Sequence, residues 1–245
     1  VESKGIRALN EKVSRPSAAQ VATAVAESVQ YQGRKASRQG SEQRRQAILD
    51  AALRIIVRDG VRAVRHRAVA AEAEVPLSAT TYYFKDINDL ITDTFALFVE
   101  RSAEAMSAFW AGADEQLQQL STGMQQGAET RLAVLEQLVD VAIVYVQAQL
   151  TENRERLLAE QAFRLEALLN PGLLELAAAH RKILVRGVDK FFRVLGSPQP
   201  EEDAKVLTGM ILQMEYQGLL DGVENLNLDD MRAVLRRYLR LVMGL

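Results

Sequence analysis

Residues 65–84 read Arg-His-Arg-Ala-Val-Ala-Ala-Glu-Ala-Glu-Val-Pro-Leu-Ser-Ala-Thr-Thr-Tyr-Tyr-Phe, and the rest of the chain is interpreted from this stretch. Its first half is alanine-rich and helical in character, with Val69 and Ala73 four residues apart on one face. Glu74-Val75-Pro76-Leu77 interrupts it, because Pro76 lacks an N–H and biases Val75 away from the α region. Thr80, Thr81, Tyr82 and Tyr83 are poor helix formers, yet the run is too short for a core strand and is flanked by helical sequence. Conflict between local preference and context marks a segment that serves something other than stability. Hydroxyls and rings on a short exposed helix suit phosphates and base edges. Helix, four-residue turn, short helix is also the spacing of a helix-turn-helix.

The same residues resemble the tetracycline-repressor-like (TetR) family of transcriptional regulators. That family shows an Ile/Val-Ala pair in its second helix, a Gly-Val turn, a short recognition helix ending in an aromatic and Phe, then an acidic residue and Leu. Here those positions read Val69-Ala70, Glu74-Val75, Tyr82-Tyr83-Phe84 and Asp89-Leu90, and the match covers roughly residues 42–100. The resemblance implies DNA contacts from Ser78, Ala79, Thr80, Thr81 and Tyr82, with Arg65, His66, Arg67, Tyr83 and Lys85 on the phosphate backbone. It departs from the family at three places. Glu74 stands where glycine is preferred, at a helix C′ site that wants positive φ. Thr81 replaces a phosphate-contacting tyrosine, and Ile87 replaces a lysine for which Lys85 is the nearby candidate.

Composition agrees with an all-α protein: 48% of the 245 residues are hydrophobic and only five are proline. No run reaches the roughly 18 uninterrupted apolar residues of a membrane span, and residues 18–26 are too polar for a signal-peptide core. Zero cysteines exclude disulfides, thiolate catalysis and Cys-ligated zinc. The expected location is cytoplasmic. The net charge of −2 hides an asymmetry. Residues 1–67 hold 14 Lys+Arg against 6 Asp+Glu, a net of +8, whereas the remaining 178 hold 16 against 26, a net of −10. A basic front end on an acidic body is expected where one part meets a polyanion.

Three regions follow. Residues 1–40 read as a flexible basic extension, with Arg34, Lys35 and Arg38 placed as an arm for phosphate or minor-groove contacts, a role weighed evenly against a disordered leader. Residues 41–86 read as a three-helix DNA-binding domain, capped by Ser41, with a core of Ile48, Ala52, Ile55, Ile56, Val69 and Phe84. Residues 87–245 read as a helical bundle for effector binding and dimerisation. Its first helix is expected to run from Ile87 to Trp110, about 36 Å, before Gly112 stops it.

Within the bundle, Phe95, Phe98, Met106, Trp110, Tyr145, Phe163 and Phe191 supply apolar surface for a pocket, with Glu160, Arg164 and His180 as polar handles. Each is equally what any helical core needs. The resemblance adds the expectation of an effector cavity, and an apolar or amphipathic effector suits such a lining. Two C-terminal stripes, Leu207, Met210, Ile211 and Met214, then Leu235, Tyr238 and Val242, would pack against a second copy as a four-helix interface. His66 and His180 lack partners at metal or triad spacing, and no glycine-rich phosphate loop occurs, so no catalytic residue, metal or cofactor is expected. The expectation is a DNA-binding repressor, homodimeric, released by a small effector. The alternative is a DNA-binding adaptor whose acidic body docks a protein and holds no small molecule.

Overall fold

The computed structural model describes residues 31–34, 39–124 and 127–245; the arm residues Lys35 and Arg38 lie outside them. Nine α-helices occur among the described residues, and no strand. They are α1 Gln39–Asp59, α2 His66–Glu72, α3 Leu77–Tyr83, α4 Ile87–Met124 and α5 Ala128–Thr151, followed by α6 Arg154–Leu169, α7 Leu174–Val194, α8 Pro200–Asp221 and α9 Leu228–Met243.

The turn between α2 and α3 closes as a Schellman motif. Val75 N–H donates to Ala70 O at 3.0 Å and Glu74 N–H to Ala71 O at 3.3 Å, with Glu74 at φ 54°. Glu74 is the only non-glycine residue at positive φ among the described residues, as its place at C′ predicts. The motif aims α3 outward from α1 and α2 and lets Phe84 drop into a core with Ile48, Ala52, Ile55, Ile56 and Val69. Ser41 does not cap α1, which is already helical at Gln39; its hydroxyl pairs with Tyr83 OH at 2.8 Å.

The long helix is longer than expected. α4 runs 38 residues through Gly112 to Met124, about 57 Å. One interior glycine costs only about 1 kcal/mol. Ala113-Asp114-Glu115-Gln116-Leu117 beyond it are mostly good helix formers, so the break at Gly112 is not made. The first turns of α4 belong to the DNA-binding core and its middle to the body. One apolar cluster therefore crosses residue 86, running from Ile48 and Phe84 through Leu90, Phe95 and Phe98 to Phe163 on α6 and Ile183 on α7. A second cluster fills the far end between α5, α7, α8 and α9, around Ile143, Leu150, Phe192 and Leu235. By length and composition α5 could cross a membrane, but Leu135, Val139, Ile143, Val146 and Leu150 are buried in this second core.

A strap precedes α1. Asp93 of α4, fully buried, accepts from Arg45 Nη2 at 3.0 Å, Gly33 N–H at 2.9 Å and Gln32 N–H at 2.5 Å. Tyr31 donates its hydroxyl to Glu100, and the Arg45 guanidinium lies 4.3 Å from the Tyr31 ring centroid. Gly33 fits because it lacks a side chain: a Cβ there would stand 2.8 Å from both Asp93 Oδ2 and the Phe84 ring.

Two outcomes are expected. Glu74→Gly relieves left-handed strain of about 1 kcal/mol and raises the melting temperature by about 2–4 °C in calorimetry. Asp93→Ala strands Arg45 in a buried site and lowers the unfolding free energy in urea by roughly 3–5 kcal/mol.

Candidate functional site

Two surfaces carry the chemistry expected of the sequence, and α4 joins them. The first is the outer face of α3. Ser78, Thr81, Tyr82 and Lys85 are exposed there, with Arg65 and Arg67 exposed beside them on α2, while His66 and Ala79 are half-buried. Thr80 and Tyr83 are corrected. Both are buried, because in so short a helix residues 80, 83 and 84 repeat at the spacing of the core face. Thr80 meets its hydrogen-bonding need by donating Oγ1–H to Leu77 O at 2.8 Å, and Tyr83 meets its own through Ser41. Neither side chain is available to a duplex. Ile87 likewise packs on the apolar core, leaving Lys85 as the exposed cation. Arg34 joins the face instead: its N–H donates to Tyr83 O at 2.8 Å, and its guanidinium lies 4.4 Å from the centroid of the Tyr82 ring, which is 54% exposed.

The second surface is internal, a cavity of about 210 Å³ enclosed by helices α4 to α9. For scale, an apolar void of roughly 150 Å³ holds benzene. Met106 and Trp110 of α4, Tyr145 of α5, Glu160 of α6 and His180 of α7 line it as the sequence suggests. Phe95, Phe98 and Phe163 do not line it and are corrected: they stack beneath the DNA-binding unit, with the Phe95 and Phe163 centroids 4.6 Å apart. The cavity opens beside Phe109 and Val141, which line it and are 44% and 51% exposed.

Two lining groups were not anticipated. Arg156 bonds Gln149 Oε1 and lies over the cavity floor with Leu157. Glu215 of α8, 3% exposed, lines the cavity together with Glu160 of α6, which is 6% exposed. The signal was present in α8, where Thr208, Ile211, Leu212 and Glu215 repeat at helical spacing and all reach the cavity. Burial, then the neighbouring Glu160, pushes the Glu215 carboxyl up to about 8; burial raises Glu160 too, opposed by Arg164 and Arg156. Burial, with Arg164 and Arg156 adding to it, holds His180 down to about 4, so its imidazole is neutral near pH 7. Burial also raises the Tyr145 phenol to about 12. Trp110 Nε1, Glu160 Oε1, Thr208 Oγ1 and Arg156 Nε are buried without hydrogen-bond partners.

The C-terminal stripes pack at least in part on their own bundle. Leu235 is fully buried in its own bundle, Leu207 and Ile211 line the cavity, and Met210, Met214, Tyr238 and Val242 pack on the second core. Tyr238 lies with its hydroxyl 2.9 Å from the Asp203 backbone O and 3.0 Å from Asp203 Oδ1, both acceptors, and its phenol is raised by burial and by the Asp203 carboxylate. The apolar residues left exposed on these two helices are Val206, Tyr216 and Leu220 of α8 and Val234 and Leu241 of α9. Arg232 and Arg236 pair with Asp140 and Glu136 of α5. Among the described residues no group of three or more His, Cys, Asp or Glu could hold a metal ion.

Trp110 keeps its place because Gly187 of α7 has no side chain: a Cβ there would fall 1.8 Å from the indole Nε1. Gly187→Ala is expected to push the indole toward the cavity, shift the emission of the chain's single tryptophan, and cost about 1–3 kcal/mol by overpacking. Fluorescence and urea unfolding of the variant read both.

Comparisons with known proteins bear on the whole arrangement. The family description "Tetracyclin repressor-like, C-terminal domain" matches residues 129–244. A TetR-family member from Streptomyces coelicolor A3 is 26% identical and superposes with a TM-score of 0.55 over 80% of this chain and 98% of its own. The multidrug binding protein EbrR complexed with ethidium gives the same identity, coverage and score. Its complex with malachite green is 27% identical, with a TM-score of 0.53 over 80% and 98%. No curated protein matches the chain. An outward-facing helix-turn-helix, a long shared helix and a C-terminal domain that matches over residues 129–244 together support a TetR-family helix-turn-helix transcription regulator.

Proposed function

We propose that this regulator is a homodimeric repressor, released from its operator when an aromatic organic cation enters the body cavity. The observation that carries the reading is the pair of buried carboxylates, Glu160 and Glu215, inside a cavity walled by Met106, Phe109, Trp110 and Tyr145. Rings stack on such walls, and an acidic group in an apolar pocket favours a positive ligand. EbrR was crystallised with ethidium and with malachite green, both aromatic cations, which supports the same chemistry here. This narrows the amphipathic effector expected from sequence. An adaptor that only docks a protein has no use for a cavity of this lining.

Ser78, Thr81 and Tyr82 meet bases or nearby phosphates, and Arg34, Arg65, Arg67 and Lys85 hold the backbone. Duplex DNA as partner places the protein in the cytoplasm. Two copies join through the exposed faces of α8 and α9 at Val206, Tyr216, Leu220, Val234 and Leu241, setting two recognition helices for adjacent half-sites. Effector contacts on Met106 and Trp110 act on the same rod that holds Asp93 near its other end. Displacing α4 therefore changes the spacing of the recognition helices, provided the effector prefers the displaced conformation.

Ser78→Ala with Tyr82→Ala is expected to weaken retention of a genome-selected operator fragment at least tenfold in a gel, with helical circular dichroism unchanged. In the same assay ethidium releases the wild-type complex. Retention unaffected by the double substitution would refute the DNA face, and retention unaffected by ethidium and malachite green would refute the effector.

A further inference from the structure

The cavity's ionisable groups can be assigned element by element. From α4 come Ser102, Met106, Phe109 and Trp110, none of which carries charge. The Tyr145 phenol on α5 stays protonated, with its value raised to about 12. Glu160 and Arg156 face the cavity from α6, and Arg164 of the same helix stands 3.9 Å from Glu160 with its own side chain half in solvent. His180 on α7 is neutral, and α8 contributes Glu215 and the unpartnered Thr208 hydroxyl. Only Leu239 reaches in from α9.

Both guanidinium groups stand on α6 with Glu160; they lower Glu215 as well, but burial and the neighbouring Glu160 outweigh them, and among the described residues Glu215 forms no ion pair. An apolar enclosure with one compensated carboxylate resists a second, uncompensated one. When the cavity is empty, Glu215 meets that constraint by keeping its proton. When a cation is present, it meets the constraint by ionising beside the cation.

We propose that the effector enters in exchange for a proton: the cation binds, the Glu215 O–H bond breaks, its electron pair stays on the carboxylate, and the proton leaves to solvent. The charge enclosed by the bundle is the same before and after, so neither state adds an uncompensated ion to the interior. The regulator then responds jointly to effector and pH, and a more alkaline interior makes it more sensitive. This rests on the cation reading above and adds to it the one-for-one stoichiometry, which favours a monocation over a dication.

The sign follows from linkage. Glu215 sits at about 8 in the empty cavity, and a neighbouring cation lowers it, so ionisation and binding support each other. Below pH 8 each unit of pH raises effector affinity about tenfold, and above it affinity levels off. Near pH 7 about 0.9 proton is released per ligand bound.

Calorimetric titration of the full chain with ethidium tests this, run in phosphate and in Tris at pH 7 and repeated from pH 6 to pH 9. The expected result is a buffer-dependent heat equivalent to about 0.9 proton released, with Kd about tenfold tighter at pH 7 than at pH 6 and less than twofold tighter at pH 9 than at pH 8. Glu215→Gln, which keeps the shape of the side chain, is expected to abolish proton release and flatten the profile. Ethidium binding to the wild type with no buffer dependence and a flat pH profile would overturn the exchange while leaving the cation reading intact. Absence of binding by both ethidium and malachite green at every pH would overturn the cation reading, and the exchange with it.

Discussion

Asp93 has no surface in water, and it takes hydrogen bonds from two pieces of chain: Arg45 of α1 and the backbone of Gln32 and Gly33. A buried carboxylate is tolerable only when its oxygens are filled and its charge is opposed. That requirement fixes where the DNA-binding unit sits on α4. With Phe84 packed behind the strap, the helix-turn-helix cannot roll on the long helix without breaking this knot. Motion of the rod thus becomes motion of α3.

The middle of the same rod meets the opposite electrostatic situation. Near the cavity Glu160 and Glu215 find fewer donors: Glu160 Oε1 has no hydrogen bond, though Arg164 stands 3.9 Å from it. A fold that satisfies Asp93 completely and leaves this pair unsatisfied has divided its polar groups between holding and receiving. Between the two lies a continuous apolar path through Phe98, Phe163 and Ile183.

What could be read without coordinates depended on how local the cause was. The Glu74 conformation was legible because the resembled family places glycine at this helix C′ site, and Glu74 has φ 54°. Val69 and Phe84 were legible as core from spacing alone. Thr80 and Tyr83 were misplaced because composition does not say which face of a two-turn helix looks inward; that depends on the direction in which α3 leaves its turn. Gly112 misled for a related reason, since propensity prices a residue in isolation and a packed helix carries a glycine without breaking.

By itself the amino-acid sequence determined the helical class, the helix-turn-helix and the basic-to-acidic polarity of the chain, because period, turn chemistry and charge act over a few residues at a time. Tertiary structure alone decided that Glu215 meets Glu160 across one cavity, that the Leu207 to Val242 stripes close their own bundle, and that Gly33 locks against Asp93. These juxtapositions join residues about 60 positions apart and more. An apolar stripe or a lone carboxylate carries the same local signature whether its partner is solvent, its own chain or another molecule, so only the packing of α4 to α9 could choose among them.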